Sequence, residues 1–390
     1  GNPSTLSCVQ QGGGLLNGDR PSHVYSLWYN TGRQYGGYSY SNASQFRVST
    51  NFSADIKKKH AVQAGFEFEQ RTEREYFVAP IGLWTLMRQL TNFHISQLDV
   101  NNPIYYQGGT YNTYIYNRLV DASSQFQFDK SLREKIGAAP DQWIDIDNLD
   151  PGTFSLDMFG ANDLLDNGLI AYYGYDYTGK KQKSNPSFED FFTKKDDKGN
   201  FTREIAPFQP IYVAGYIQDK FDFKDLKFNV GLRVDRFDAN QSVLKDPYSL
   251  YETKTVGEVN NFTHPVNMGS DYVVYVNDKN PTAVVGYRDG DVWYNASGVE
   301  VENPDDIAVL TTTGEIIPYL VNPNDKRGGE TFIKAFKDYE PQITVMPRIA
   351  FSFPISDVAN FFAHYDVLTQ RPSSFVRFDP TSYYYLEQTV

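Results

Sequence analysis

Apolar and polar residues alternate in three separate stretches of the chain, and in each stretch a very short polar link joins two alternating runs. A period of two places successive side chains on opposite faces of a β-strand. The alternation therefore predicts three antiparallel β-hairpins. The stretches, each with its link, are residues 44–71 with 57–59, 211–237 with 224–225, and 342–370 with 354–357.

The polar face of these hairpins carries charged side chains, which an apolar protein core accepts only when they are paired. A transmembrane β-barrel accepts the pattern, because lipid covers its outside and water fills its lumen. Runs of about ten residues also match a tilted strand that crosses the hydrocarbon layer. We therefore expect an all-β protein whose strands belong to an antiparallel transmembrane β-barrel. The charged residues on the polar face are Arg47, Glu67, Glu69, Arg233, Asp235 and Arg348.

Loop lengths favour the same architecture. Outer-membrane barrels keep short turns on the periplasmic side and long loops outside the cell. Two long loops, near residues 72–210 and 238–341, separate the hairpins, and a weaker strand at 24–34 precedes them. A further strand after Arg371 would bring the number of strands to eight. Within the long loops the sequence predicts helices at 131–136 and 156–165 and hairpin strands at 271–276 and 284–287.

The composition does not contradict a barrel, although a net charge of −12 and a mean hydropathy of −0.51 also suit an acidic soluble protein. The chain contains 29 Tyr and 28 Phe. Aromatic side chains gather where barrel strands cross the membrane interface. A Tyr-rich β-sandwich is the alternative that this composition leaves open. The candidate interface residues are Tyr25, Trp28, Tyr29, Tyr212, Tyr216, Phe221 and Phe223.

Motifs for catalysis or metal binding are missing from the sequence. The histidines lack ligand spacing, and the single cysteine, Cys8, cannot form an internal disulfide. Residues 145–152 resemble a calcium loop, but Leu149 occupies a ligand position, so a solvated acidic turn is the other interpretation. The acidic charge argues against nucleic acid, and neither an apolar run of 18 residues nor a signal sequence is present. We expect no enzyme activity, no cofactor and no metal.

The second hairpin resembles the barrel strands of TonB-dependent outer-membrane receptors. In that family the sequence GYIQD, a short turn and N-x-G-x-R-x-D recur as a hairpin, and here they occupy residues 215–219 and 229–235. The third hairpin, with residues 347–354 followed by 361–365, is also similar to the family. The loop style of residues 174–179 resembles the large receptors abundant in Bacteroidetes, which often carry a carboxypeptidase-regulatory-like domain ahead of the plug.

The resemblance implies a barrel of about 22 strands, of which this chain is an internal portion, with the plug and N-terminal domains outside it. It implies energised import of an extracellular ligand, with the outer-membrane bilayer, the protein's own plug, periplasmic TonB and a surface lipoprotein as partners. The ligand is a small molecule, a glycan or a peptide. The alternative function is a passive or adhesive outer-membrane barrel that docks partner proteins.

The resemblance also assigns roles to two sets of residues. The six charged residues of the polar face become lumen wall, either as salt-bridged wall and plug contacts or as substrate contacts. Tyrosines of the long loops become candidate ligand contacts through stacking on sugars or packing on peptides, with ordinary loop packing as the alternative. These tyrosines are Tyr105, Tyr106, Tyr111, Tyr114, Tyr172, Tyr173 and Tyr175.

Overall fold

A computed structural model describes residues 36–57, 59–107, 113–277, 280–308, 317–322, 333–370 and 377–389. Several sequence predictions lie outside these residues. They are the strand at 24–34, the segment 371–376 in which a further strand is predicted to begin, Cys8, and the aromatic residues Tyr25, Trp28, Tyr29 and Tyr111.

Antiparallel β-structure dominates, with 41% of residues in strands and 19% in helices, which confirms the prediction of an all-β fold. The strands are β1 (Tyr38–Ile56), β2 (His60–Val78), β3 (Ile104–Tyr106), β4 (Thr113–Ile115), β5 (Ile170–Tyr173), β6 (Ile211–Phe223), β7 (Leu226–Asp238), β8 (Ser242–Leu244), β9 (Val273–Val276), β10 (Val284–Asp289), β11 (Val292–Asn295), β12 (Glu300–Val301), β13 (Ile317–Pro318), β14 (Phe336–Asp338), β15 (Gln342–Ser356) and β16 (Ala359–Asp366).

The helices are short. Of those in the described part of the chain, none is long and apolar enough to cross a membrane. The α-helices are α1 (Pro80–Leu90), α2 (Gln127–Ile136), α3 (Ala161–Asp166), α4 (Phe188–Thr193), α5 (Asp305–Ala308) and α6 (Pro380–Thr389). Single 3₁₀ turns occupy Phe93–Ile95, Ala122–Ser124, Ile146–Asn148, Pro151–Thr153 and Leu156–Met158.

The chain forms two compact units. Of the described residues, the first unit contains 36–45 together with Arg71–Gln209, and the second contains Phe46–Gln70 together with those from Pro210 onward. Strands β1 and β2 therefore contribute one part of their length to each unit.

The second unit is built on six strands of a seven-stranded antiparallel sheet, in the order β1-β2-β6-β7-β15-β16, and we call these six strands the six-stranded sheet. A hairpin is present at each of the three places where the sequence alternates. The tight links of the first two hairpins each contain a residue in the left-handed backbone region, Lys57 (φ 52°) in the first link and Lys224 (φ 59°) in the second. The third link is shorter than predicted, because β15 continues through Pro354 to Ser356 with a register irregularity at that proline.

A smaller five-stranded sheet in the second unit has the order β12-β11-β10-β9-β13. It confirms the hairpin predicted from residues 271–276 and 284–287, since Tyr287 pairs with Val274 across β10 and β9. Its two faces bury separate clusters, one around Val274 and Tyr287 and the other around Tyr275 and Trp293. The turn from β10 to β11 has its left-handed residue at Gly290 (φ 54°).

The first unit packs short helices against a β5 strand that pairs with the Glu75–Val78 end of β2. Helix α2 confirms the helix predicted at 131–136 and begins four residues earlier. The helix predicted at 156–165 is divided into a 3₁₀ turn and α3, because Gly160 is extended and its N–H donates to the Asp163 carboxylate, 3.1 Å away. The buried side chains that hold this unit together include Leu86, Phe128, Leu132, Leu164 and Phe191.

Candidate functional site

Alternation gives the six-stranded sheet one largely apolar face, which also carries the charged residues Asp219, Arg236 and Asp238, and one polar face. The registers place Ile217, Leu232 and Val345 on the same side, and their neighbours of opposite parity on the other. The side chains of the apolar face are exposed, although a soluble protein buries such a surface. The larger of them are each 38–67% exposed: Phe46, Val48, Phe52, Phe66, Ile217, Val230, Leu232, Val234, Ile343, Val345, Ile349, Phe361 and Tyr365.

A continuous row of aromatic rings crosses the apolar face close to the short links. Phe221 on β6 stacks on Phe228 on β7 with 5.2 Å between ring centroids, and Phe228 is 6.2 Å from Phe351 on β15. Phe351 and Phe361 are 6.0 Å apart, and the ring of His60 lies 5.5 Å from that of Phe221. We call these five residues the aromatic belt. The belt runs across the strands, as an interface girdle does in a membrane barrel.

The predicted interface residues divide between the two faces. Phe221 and Phe223 lie on the apolar face, but Tyr212 and Tyr216 have the opposite parity and lie on the polar face. The prediction that these two tyrosines belong to an interface girdle is wrong. Tyr212 is buried, and its hydroxyl donates to Asp235 instead of facing outward.

Four of the predicted wall residues form a chain of ion pairs on the polar face. Arg47 on β1 lies 2.9 Å from Glu67 on β2, and the other oxygen of Glu67 lies 3.8 Å from Arg233 on β7. Arg233 Nε is 2.7 Å from Asp235 Oδ1. Tyr212 donates its hydroxyl to Asp235 at 2.5 Å and accepts from Arg233 at 2.8 Å. We call these five residues the polar ladder.

Small residues allow long side chains to cross intermediate strands. Ala214 on β6 lies between Glu67 and Asp235 in register and leaves room for the Glu67–Arg233 contact. Gly65 on β2 has the same role, because a Cβ at this position would clash with the Tyr216 ring. Tyr216 therefore crosses β2, and its hydroxyl donates to Asn51 on β1 at 3.0 Å.

The remaining wall residues lie beside the polar ladder. Glu69 is buried on β2 and is the register partner of Tyr212. Arg348 on β15 pairs with Asp366 on β16 at 3.0 Å. Near the short links, an open cavity of about 910 Å³ is lined by both charge signs, including Lys220, Asp222, Lys227, Arg348, His364 and Asp366.

The predicted ligand-contact tyrosines that the structure describes lie in the first unit, and all of them except Tyr173 fall into two groups. Tyr105, Tyr106 and Tyr114 are 49%, 56% and 60% exposed on the β3–β4 ribbon. Tyr172 and Tyr175 are buried, and the Tyr172 hydroxyl donates to the Arg203 carbonyl at 2.7 Å. The exposed group can contact a ligand directly, whereas the buried pair contributes to the core.

Tyr173 belongs to neither group. It is half-buried, and its hydroxyl donates to Glu75 at 3.3 Å across the β2–β5 pairing. Tyr175 packs edge-on against Tyr76 and Tyr40, with 6.4 Å and 5.7 Å between ring centroids. Burial raises the pKa of Tyr175, as expected for a phenol in an apolar setting.

A buried carboxylate that the sequence did not reveal organises the first unit. Asp129 on α2 is fully buried, and it accepts from Arg133 at 2.7 Å and from the Asn92 backbone N–H at 3.0 Å. Burial by itself would raise the pKa of Asp129, but these hydrogen bonds, a third from Gln125 and the charge of Arg133 outweigh it and hold that pKa below its ordinary value. The charge of the buried Asp129 carboxylate is therefore paired with that of Arg133.

A second buried charge holds the small sheet of the second unit. Arg288 on β10 is 3% exposed and donates to Asp246 at 2.5 Å and to the Tyr275 hydroxyl at 3.0 Å. Its guanidinium also lies 4.5 Å from the centre of the Tyr248 ring and 5.5 Å from that of Trp293. Burial raises the pKa of Tyr275, and the hydrogen bond from Arg288 opposes this shift.

The acidic segment 145–152 folds as two capped 3₁₀ turns. Asp145 accepts from the Asp147 N–H and Asp150 accepts from the Gly152 N–H, so both carboxylates cap local backbone. Within the residues that the structure describes, no group of three His, Cys, Asp or Glu side chains is arranged to hold a metal ion. No family model, curated protein or solved structure matches the chain.

Proposed function

We propose that this protein is a TonB-dependent outer-membrane receptor that binds an extracellular ligand at its long loops and imports it with energy from TonB. The observation that carries the proposal is the exposed apolar face of the six-stranded sheet, opposite a face built from ion pairs. A sheet with these two faces suits lipid on one side and a water-filled lumen on the other.

Strand length supports a membrane setting. Strands β6 and β7 each have 13 residues. At about 3.3 Å per residue each extends roughly 43 Å, and a tilt of about 45° reduces this to roughly 30 Å across the membrane. That length equals the thickness of the hydrocarbon core.

The aromatic belt and the links give the proposed orientation. Phe221 and Phe228 are a register pair only two positions from the end of the β6–β7 hairpin. The belt would then mark the periplasmic interface, with the short links just beyond it. The long connections from β2 to β6 and from β7 to β15 would lie outside the cell, where the folded first unit and the small sheet would meet ligand.

The proposed barrel has about 22 strands. Among the described strands, β1 and β16 are the edges of the sheet, and in lipid an open edge would leave backbone N–H and C=O groups unpaired. Further strands would close the barrel at both edges. The polar ladder would then form lumen wall beside the protein's plug, with TonB acting from the periplasm and a surface lipoprotein as a further partner.

Energy dependence tests the proposal. Deleting the gene in the source bacterium should abolish growth on one nutrient, and deleting tonB or collapsing the proton-motive force should abolish uptake of that nutrient. A passive or adhesive barrel predicts a different result: its deletion phenotype would appear in adhesion or in diffusion-limited uptake and would be unchanged when TonB is lost. Reintroduction of the intact gene is the control.

A further inference from the structure

A charged pair lies on the apolar face of the six-stranded sheet, within the aromatic belt. His60 Nδ1 on β2 is 2.7 Å from Asp219 Oδ2 on β6. The register partners of Asp219 are Val62 on β2 and Val230 on β7, so its neighbours on both sides are aliphatic. Strands β2 and β7 flank β6, which places this pair in the interior of the sheet. A charge on a lipid-facing surface is costly, and an ionisable pair there indicates a functional site.

The contact with Asp219 determines which nitrogen of His60 is left for another partner. Nδ1 meets the carboxylate, and Nε2 is the remaining nitrogen of the ring. The His60 side chain is 46% exposed, and its ring lies 5.5 Å from that of Phe221. When His60 is protonated, both nitrogens are donors, so it donates Nδ1–H to Asp219 and can donate Nε2–H to a second anion.

A lysine reaches the same region from the β6–β7 link. Lys224 is exposed, and its Nζ lies 5.9 Å from the centre of the Phe223 ring. Phe223 lies on the apolar face and is 59% exposed. Phe221 and Phe223 are two residues apart on the same face of β6, which separates them by roughly 6.6 Å along the strand. Each of two adjacent aromatic rings therefore has a basic side chain beside it.

The two links beside these rings are basic, although the chain as a whole is acidic. Residues 57–59 are three lysines and residues 224–225 are Lys and Asp, so the two links carry a net charge of +3 in a chain of net charge −12. The third link, residues 354–357, contains Asp357 and no basic residue. Positive charge concentrated at one place attracts anions to it.

Basic side chains next to an exposed apolar surface match the chemistry of an amphiphile with an anionic headgroup. Protonated His and Lys bind phosphate oxygens through charge-assisted hydrogen bonds. The same ligand can cover aliphatic side chains beside the site, such as Ile217 and Val230, which are 56% and 39% exposed. A soluble phosphate compound would meet the basic groups and leave these side chains exposed, so the surface favours a phospholipid.

We propose that His60 and Lys224 bind the phosphate headgroup of a phospholipid whose acyl chains lie along the apolar face of the six-stranded sheet. Basic residues at a membrane surface recognise lipid headgroups in this way. The inference rests on the membrane-spanning sheet of the proposed function, and it adds a ligand that is neither transported nor dependent on TonB. In the proposed orientation this lipid belongs to the periplasmic leaflet.

Native mass spectrometry of the full chain, released from detergent that contains dioleoyl phosphatidylglycerol, tests the site. We expect a bound phospholipid, and Lys224→Gln should weaken its binding about tenfold because one charge-assisted hydrogen bond is lost. His60→Phe should weaken binding by a similar factor while it keeps an aromatic ring in the belt. Lys254→Gln is the matched control, because Lys254 Nζ also lies beside an aromatic ring, 4.3 Å from the centre of Tyr319, and it should leave binding unchanged. Unchanged near-UV circular dichroism would show that the variants are folded.

Two further probes separate the headgroup from the acyl chains. Glycerol phosphate has the phosphate without the chains, and dioleoylglycerol has the chains without the phosphate, so each should bind more weakly than the phospholipid. Glycerol phosphate that binds as tightly would indicate a site for free phosphate, and dioleoylglycerol that binds as tightly would show that the basic groups contribute nothing. Either result would overturn the proposal.

The lipid site and the barrel can fail separately. Phospholipid binding that Lys224→Gln and His60→Phe both leave unchanged would overturn the lipid site alone, provided that the short links are protected from impermeant reagents on intact cells. Links that such reagents reach on intact cells would contradict the barrel itself, and the inference would fall with it.

Discussion

Phe221 and Phe228 stack nearly face to face across the β6–β7 pairing, with 5.2 Å between their centroids and 16° between their planes. Such a pair contributes about 0.5–1.5 kcal/mol beyond its buried area. The two rings lie on the exposed apolar face, in the aromatic belt, which crosses β2, β6, β7, β15 and β16. Their position next to the short link supports the proposal that this end of the sheet lies at a membrane interface.

The two faces of the sheet should respond differently to the same substitution. Leu232→Lys places a charge among exposed apolar side chains in the middle of β7 and should destabilise the folded protein in lipid by about 2–4 kcal/mol. Gln218→Lys is the matched control, because Gln218 pairs in register with Gly231 on the polar face. It should cost less than about 1 kcal/mol. Urea unfolding in lipid vesicles measures both, and equal costs would contradict the assignment of the faces.

The polar ladder should behave as a coupled network. Asp235→Asn keeps the shape of the side chain but removes the charge that meets Arg233 and the Tyr212 hydroxyl, and we expect a loss of about 1–2 kcal/mol because the site is partly solvated. Tyr212→Phe should cost about 1 kcal/mol. The double variant should cost less than the two single losses together, as measured by a double-mutant cycle. Strict additivity would show that the hydroxyl and the carboxylate act independently.

Arg288 should be essential to the small sheet. Arg288→Met leaves the Asp246 carboxylate largely buried without its cation, and loss of one partner of a buried pair costs about 3–5 kcal/mol. Hydrogen exchange of β9, β10 and β11 should therefore accelerate. Adding Asp246→Asn to Arg288→Met removes both charges and should recover part of the lost stability. Lys254→Met is the control, since it removes a cation 4.3 Å from the Tyr319 ring and should cost less than about 1 kcal/mol. If exchange is the same in Arg288→Met and Lys254→Met, the role assigned to Arg288 is wrong.

Asp129 should make the first unit sensitive to acid. Hydrogen bonds from Arg133, Asn92 and Gln125 hold the pKa of this carboxyl below its ordinary value, and His94 Nδ1 lies 3.4 Å from it. A depressed folded-state pKa stabilises the folded protein fully above the unfolded value of about 3.9, and this contribution is lost as the pH falls through the folded-state pKa. The free energy of unfolding of Asp129→Asn should therefore approach that of the wild type below about pH 4. Curves that stay parallel down to pH 2 would contradict this account.

The sequence predicts the large sheet well because strand alternation is local. Runs such as Phe228 to Val234 reveal both their strand and their faces. The same rule, applied with the correct parity, would have placed Tyr212 on the polar face. Gly65 also gave a signal, because a glycine inside a strand often marks a close approach, here by Tyr216.

Long-range pairings explain what the sequence could not reveal. Arg288 and its partner Asp246 are 42 residues apart, and Asn92 meets Asp129 across 37 residues. Nothing local distinguishes these charges from the other loop acids and bases. Two tight turns do follow a local sequence pattern, Asp-x-x-Gly, which begins at Asp176 and at Asp196. In each turn the Asp carboxylate accepts hydrogen bonds from backbone N–H groups, and the glycine, Gly179 or Gly199, has a left-handed backbone. These turns give a defined backbone conformation to parts of the long loop near residues 72–210, whose composition indicates only that it is polar.

Accessibility of single cysteines on intact cells tests the central claim most directly. In a Cys8→Ser background, Asp225→Cys lies in the short β6–β7 link and Val299→Cys lies on an exposed turn of the small sheet. A membrane-impermeant maleimide should label Val299→Cys readily and should reach Asp225→Cys only after the outer membrane is permeabilised. Equal labelling of both positions on intact cells, or labelling of Asp225→Cys alone, would contradict a barrel with periplasmic links and extracellular loops.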